Sequence, residues 1–150
     1  MKIADIEAEV AGLDLPAFDE TTAFRLGTIL VDMALADSLP VVINIRSANR
    51  TLFHAALPGS APLNDIWARR KSATALTFHE PSLLVGLRHK EKGESLAKHG
   101  LDTADFADHG GAVPIRVTGT GVVAVATVSG LPQVEDHKLV IRGLRALLKG

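Results

Sequence analysis

The sequence predicts an α+β fold in which helices cover one antiparallel sheet. Apolar residues alternate with a period of two in the runs 41–46 and 51–56, and a short turn separates these runs. Two more apolar runs, 113–118 and 122–128, lie on either side of a glycine turn. Segments with apolar residues at helical spacing precede, separate and follow the two pairs. Because tight turns join neighbouring strands, the sheet is predicted to be antiparallel.

Four helices are predicted from their end signals and apolar spacing, at about 20–36, 64–78, 82–93 and 132–149. Asp19 is a good N-cap for the first helix, and Asn64 or Asp65 can cap the second. The segment 94–106 has few apolar residues, so we expect at most a short helix and a loop there.

The stretch 108–137 organises the chain, since it holds the second strand pair and the start of the last helix. The run 122–128 is apolar nearly throughout, which is typical of a central strand buried on both faces. Pro114 donates no backbone hydrogen bond, so its strand is expected to be irregular or at an edge. His137 shares a helix face with apolar neighbours and is expected to point inward.

Length and composition indicate a globular domain and exclude several kinds of partner. The 150 residues, 47% of them hydrophobic, suit a single domain spanning 1–150. A net charge of −1 gives no basic surplus for nucleic acid or an anionic membrane surface. We expect a cytoplasmic protein, because the chain has no cysteine, no apolar window long enough to cross a membrane, and acids where an export signal needs an apolar core.

Two short motifs are similar to functional patterns but lack the required context. The segment 119–124 fits the glycine pattern of dinucleotide sites, yet a valine-rich strand follows where a helix should open. Ser129 precedes Gly130 as in a nucleophile elbow, but Thr127 stands where that motif needs glycine. Neither a nucleotide site nor a catalytic triad is predicted, and no catalytic residue is identified.

Two acid–histidine pairs, Asp108–His109 and Asp136–His137, combine carboxylate and imidazole, which serve as metal ligands and general bases. Adjacent residues point in different directions on a helix or strand, so each pair can contribute at most one side chain to a common site. No two histidines are four residues apart, and no metal site is predicted.

A distinctive pattern lies in the last third of the chain: DHGGAVPI at 108–115, Gly121, VSGLPQ at 128–133 and EDH at 135–137. This pattern resembles the HbpS/GlcG-like family, also called the haem-degrading domain family, and in particular its cytosolic branch. Further matches occur at Leu52-Phe53, Pro58-Gly59, Trp67 and Arg70-Lys71. The resemblance covers most of the chain from about residue 24.

The resemblance implies a profilin-like or PAS-like fold, with a five-stranded antiparallel sheet between helices. The apolar pattern alone identifies four strands, so four to five are expected. The resemblance also implies a homo-oligomer. Some family members bind haem or are linked to its degradation, so haem is a cofactor candidate by resemblance only. The family's two glycine turns fall on Gly110-Gly111 and Ser129-Gly130, where the backbone is expected to need glycine.

The first hypothesis for function is a pocket between the last helix and the sheet that binds haem or a smaller anionic molecule. Its predicted lining residues are Trp67, Arg70, Lys71, His109 and His137. His109 and His137 are expected to meet at one end of the sheet. The alternative is that the basic residues are solvated neighbours of a tryptophan at the core edge, and that both histidines only bond to backbone.

Two other classes of function stay open. The chain can be a haem-degrading or other small-molecule enzyme that uses one of these histidines as ligand or base. It can also be an oligomeric interaction protein without a ligand, in which the glycine turns serve assembly alone.

Overall fold

The computed structural model describes residues 1–150 and contains five α-helices, four β-strands and one short 3₁₀ turn. The helices are α1 (Ile3–Val10), α2 (Glu20–Ala36), α3 (Pro62–Phe78), α4 (Ser82–Lys92) and α5 (Gln133–Lys149). The strands are β1 (Val42–Arg46), β2 (Thr51–Ala56), β3 (Ala112–Val117) and β4 (Gly121–Ser129), and the 3₁₀ turn, η1, covers Leu96–His99. This order of elements confirms the predicted α+β class.

All four strands pair antiparallel, as predicted, and their order in the sheet is β2-β1-β4-β3. The two hairpins join through β1 and β4, where Val42 lies opposite Ser129. The strand with Pro114 is at the edge, and its register shifts after Ile115, so the expected irregularity is confirmed. The sheet has four strands, and Leu15 adds only an isolated bridge beside β3.

Strand β4 is central and buried on both faces, which explains its continuous apolar sequence. Residues 124, 126 and 128 belong to the main core, which also contains buried side chains of α2 and α5. Thr127 lies on the other face, where its hydroxyl is 2.7 Å from that of Ser72 on α3. Because side chains alternate along a strand, Ser129 is also directed to the α3 side.

The predicted helix starts are nearly those observed. Asp19 caps α2, since its carboxylate accepts a hydrogen bond from the backbone N–H of Thr22 at 3.0 Å. Helix α3 begins at Pro62, earlier than Asn64 or Asp65, because proline suits the first helical turn. The side-chain carbonyl of Asn64 instead accepts a hydrogen bond from the backbone N–H of Ala61 at 2.8 Å. The NH₂ group of the same side chain stays free for other partners.

Helix α1 was not predicted from the sequence. It has eight residues, too few to be stable in isolation, so its formation depends on docking to the rest of the chain. Ile6 is fully buried against Leu83 and Leu84, and Glu7 forms an ion pair with Arg88 at 3.1 Å. These contacts attach the N-terminus to α4.

Candidate functional site

The two predicted glycine turns lie side by side at one end of the sheet. Gly110 and Gly111 precede β3, while Ser129 and Gly130 lead from β4 into α5. The Val128 N–H donates to the Gly111 carbonyl at 3.0 Å, which joins the two segments. A cavity of about 270 Å³ opens between these turns, α3 and the start of α5. We refer to it as the turn cavity.

Lys71 lies in the wall of the turn cavity, and its ammonium group is fully engaged. Its side chain is only 3% exposed. It donates to the carbonyls of Gly110 at 3.0 Å and Val128 at 2.7 Å, and to the Asp136 carboxylate at 3.1 Å. An ammonium group has three donors, so none remains for a ligand. Lys71 is therefore neither the solvated residue nor the free anion-binding group considered from the sequence.

Asp136 completes this buried ion pair from the first turn of α5. Its carboxylate also accepts from the backbone N–H groups of Leu131 at 2.9 Å and Gly130 at 3.3 Å. Burial lowers the pKa of Lys71 and raises the pKa of Asp136, while the attraction between the two charges opposes both shifts. Since every partner in this network favours the charged forms, we assign an ionised pair. Together with the bond from Lys71 to the Val128 carbonyl, the pair links α3, β4 and α5 in the wall of the turn cavity.

The glycines of the two turns are required by close backbone approaches. Gly111 has φ of 138°, and a Cβ there would overlap the Lys71 ammonium group and the Val128 carbonyl. Gly130 has φ of 149°, and a Cβ there would overlap the Pro40 carbonyl. Side chains other than glycine rarely adopt such φ values. The sequence-based expectation that these turns need glycine thus has a steric cause.

Trp67 and His109 form the open side of the turn cavity. Their rings meet edge to face with centroids 5.1 Å apart, and the His109 side chain is 53% exposed. Arg70 stacks its guanidinium 4.4 Å from the Trp67 ring centroid and donates to the Thr103 carbonyl at 2.8 Å. Arg70 does not line the cavity itself. It contacts the cavity wall only through the Trp67 ring.

His137 points inward as predicted, but it does not line the turn cavity. Its Nε2 lies 2.9 Å from the Glu9 carboxylate on α1, and its side chain has no exposed surface. The predicted meeting of His109 and His137 in one pocket is therefore not observed within the chain. The reason is α1, which was not predicted and which supplies the partner of His137.

Burial lowers the pKa of His137, and the Glu9 carboxylate opposes this shift only in part. Its Nδ1 is buried without a hydrogen-bond partner, as expected for a neutral ring that donates from Nε2. Because the folded-state pKa is below the unfolded value, the unfolded chain binds more protons in the interval between them. The stability contribution is complete above the unfolded pKa of about 6.5 and is lost as pH falls through the folded-state pKa.

We therefore expect His137→Gln to lose stability less steeply than the wild-type chain when the pH is lowered from about 8 to about 5. Glutamine keeps a donor for Glu9 but does not titrate. The measurement is urea unfolding at several pH values, with His54→Gln, a change at a half-exposed histidine, as the matched control. Parallel pH profiles for wild type and His137→Gln would contradict this assignment.

Two polar residues of the turn cavity, Asn64 and Gln133, were not identified as site residues from the sequence, and Ser129 was identified only as part of a backbone turn. The side-chain carbonyl of Gln133 accepts a hydrogen bond from the backbone N–H of Gly110 at 2.9 Å, and the NH₂ group of the same side chain has no partner in the chain. The Ser129 hydroxyl and the Trp67 indole N–H form no hydrogen bond in the chain either. The sequence offered only the motif around Ser129 and the capping role of Asn64 as signals.

No group of three or more histidine, cysteine, aspartate and glutamate side chains is placed so that it could hold a metal ion. None of the helices combines the length and the apolar character that crossing a membrane would require.

Comparison with known proteins agrees with the resemblance in the sequence. Residues 18–145 match the family described as "Haem degrading protein HbpS-like". A UPF0303 protein of Acidobacterium capsulatum is 45% identical over 146 residues, which cover 97% of this chain and 88% of that protein. A UPF0303 protein of Streptomyces coelicolor is 44% identical over 147 residues, covering 97% and 93% of the two chains.

Solved structures share the fold over nearly the whole chain. The crystal structure of the Ybr137w protein superposes with a TM-score of 0.89 and 32% identity, covering 99% of this chain and 88% of that chain. The crystal structure of a PduOC:haem complex superposes with a TM-score of 0.73 at 18% identity, covering 87% and 94%. The second likeness concerns the fold alone. Given the family match over residues 18–145, this chain belongs to the HbpS-like family.

Proposed function

We propose that the chain binds a small molecule rich in hydrogen-bond acceptors in the turn cavity. The observation that carries this proposal is a set of donors without partners around one opening: the indole N–H of Trp67, the NH₂ groups of Asn64 and Gln133, and the hydroxyl of Ser129. In each amide the carbonyl is fixed by a backbone N–H, which assigns the NH₂ end. Short carboxylates and carbonyl compounds present the matching acceptors.

The charge and size of the turn cavity narrow the class of ligand. Lys71 and Asp136 neutralise one another, so only His109 can add positive charge at the opening. The volume of about 270 Å³ is below the range of about 300–1,000 Å³ that is usual for drug-sized ligands. These features favour a neutral or singly charged ligand whose volume is smaller than that of a typical drug molecule.

A larger cavity, of about 410 Å³, lies between α1, α4 and β3, but it offers fewer free groups. Arg88 in its wall is paired with Glu7 and Glu80. Arg116 donates to the His79 carbonyl at 2.5 Å. We therefore favour the turn cavity as the ligand site.

Haem is the second candidate, and the half-exposed His109 supports it. One ring nitrogen of His109 is 3.7 Å from Asp108, and the other has no partner in the chain, so His109 would be the residue that binds the haem iron. Family membership and the haem complex of a protein with the same fold point to the same ligand. Haem is too large for the turn cavity alone, and Trp67 and His109 at the opening would be the residues that contact it.

A titration followed by tryptophan fluorescence distinguishes the two candidates, because Trp67 is the only tryptophan. Short monocarboxylates, small carbonyl compounds and haemin are the probes. We expect one class to change the emission, and His109→Ala to weaken that binding by about tenfold or more, the effect of losing one or two hydrogen bonds. His99→Ala, a change at an exposed histidine outside the cavity, is the control. Unchanged emission with every probe would contradict the proposal.

Self-association belongs to the same proposal. Leu63 on α3 is 61% exposed and Ile66 is 48% exposed, close in sequence to Trp67, and β2 is an unpaired edge strand. A second copy on this side would cover the apolar residues and extend the wall of the turn cavity. Light scattering on the titrated sample is expected to give a multiple of the 15.8 kDa chain mass.

A further inference from the structure

A second cluster of titratable groups lies away from the turn cavity, between α4, η1 and the segment before β3. The Nε2 atoms of His89 and His99 face each other at 3.2 Å. The Nδ1 atom of His89 is 2.9 Å from the Asp108 carboxylate. Phe78 packs edge to face on both rings, with centroids 5.9 Å and 5.2 Å away, and restricts their rotation.

The geometry of the two imidazoles is close to that of a pair of metal ligands. Two nitrogens bound to one tetrahedral zinc ion at about 2.0–2.1 Å are separated by about 3.3 Å. The Asp108 carboxylate can accept only from a protonated Nδ1, so the Nε2 of a neutral His89 carries a lone pair directed at His99. A carboxylate on the non-ligating nitrogen is the usual outer partner of a metal-bound histidine.

A third ligand is available in Glu94, which lines the same cavity of about 170 Å³ as the two histidines. One Glu94 oxygen accepts from Lys98 at 2.6 Å, and the other has no partner in the chain. The Lys98 side chain is 59% exposed, so this ion pair is weakly stabilising and easily exchanged. As placed, the three groups do not form a complete metal site, so metal binding requires the Glu94 side chain to turn away from Lys98.

We propose that His89, His99 and Glu94 bind a divalent transition metal ion, with Asp108 fixing the orientation of His89. Two imidazoles and a carboxylate favour zinc and its neighbours over magnesium or calcium, which prefer oxygen ligands only. The carboxylate also offsets the positive charge of Lys92 at the rim of the cavity. Arg88 there is already paired with Glu80. The three residues are spaced five apart, at 89, 94 and 99, and no helical histidine pair reveals them.

The test is a Zn²⁺ titration of the full chain without a histidine tag, in competition with a chelating dye. We expect one zinc per chain, and at least about tenfold weaker binding in His99→Ala and in Glu94→Gln. His54→Ala, a change at a half-exposed histidine that lines neither cavity, is the matched control and should bind zinc like the wild type. Far-UV circular dichroism establishes that each variant is folded.

Two results would overturn the proposal. One is wild-type binding at well below one zinc per chain. The other is stoichiometric binding that His99→Ala and Glu94→Gln leave unchanged, which would place the ion elsewhere. Because His89 is almost fully buried, its own substitution is not used. Zinc binding and ligand binding in the turn cavity are measured separately, so either can fail without the other.

Discussion

Replacing Lys71 with methionine is expected to lower the free energy of unfolding by about 3–5 kcal/mol, the usual effect of breaking a buried ion pair from one side. Methionine retains most of the apolar length of the side chain. The loss therefore arises from the Asp136 carboxylate, left buried without its counterion, and from the carbonyls of Gly110 and Val128, which lose their donor. Urea unfolding followed by circular dichroism measures the change.

The control is the double variant Lys71→Met with Asp136→Asn. Asparagine is neutral and can still accept from the Leu131 N–H, so the double variant should be less destabilised than the sum of the two single changes. A loss below about 1 kcal/mol for Lys71→Met would place the ammonium group in water, as exposed ion pairs behave. That result would contradict the conclusion that a buried Lys71–Asp136 ion pair stabilises the wall of the turn cavity.

Gly111→Ala is expected to destabilise the chain by about 2–5 kcal/mol. The positive φ costs an alanine roughly 1–2 kcal/mol, and overpacking a filled site costs about 1–3 kcal/mol more. The added methyl group would press on the Lys71 ammonium group and on the Val128 carbonyl, so it weakens the bond between them. The measurement is again urea unfolding.

Gly119→Ala separates the two contributions to this effect. Gly119 also has a positive φ, 79°, but nothing lies within 4 Å of a Cβ at that position. This variant should show only the backbone cost of about 1–2 kcal/mol. Equal losses in the two variants would mean that Gly111 is needed for its conformation alone and not to admit Lys71.

The sheet could be predicted from the sequence because its signals are local. Alternation in 41–46 and 51–56, the turn after 118 and the continuous apolar run 122–128 each depend on neighbours in the chain. Helix α1 could not be predicted in this way, since its stability comes from Ile6 packing against α4, about eighty residues later.

Of the residues predicted for a pocket, Trp67, Lys71 and His109 line the turn cavity, whereas Arg70 and His137 do not. The glycine turns could be predicted because backbone constraints are visible in single residues. The role of Lys71 was missed, since charged side chains are rarely buried and its three acceptors come from distant segments. The same holds for His137, whose partner Glu9 is 128 residues away in the chain.

The most direct test of ligand binding in the turn cavity is a ¹⁵N–¹H NMR titration of side-chain signals. The chain has one tryptophan and one glutamine, Trp67 and Gln133, and both line the cavity, so each gives a single side-chain assignment. With the probe that changes Trp67 fluorescence, we predict that the Trp67 indole and Gln133 amide signals shift together. The amide of Asn49, in the β1–β2 turn, should stay fixed. Saturable binding that leaves both cavity signals unmoved would contradict the site.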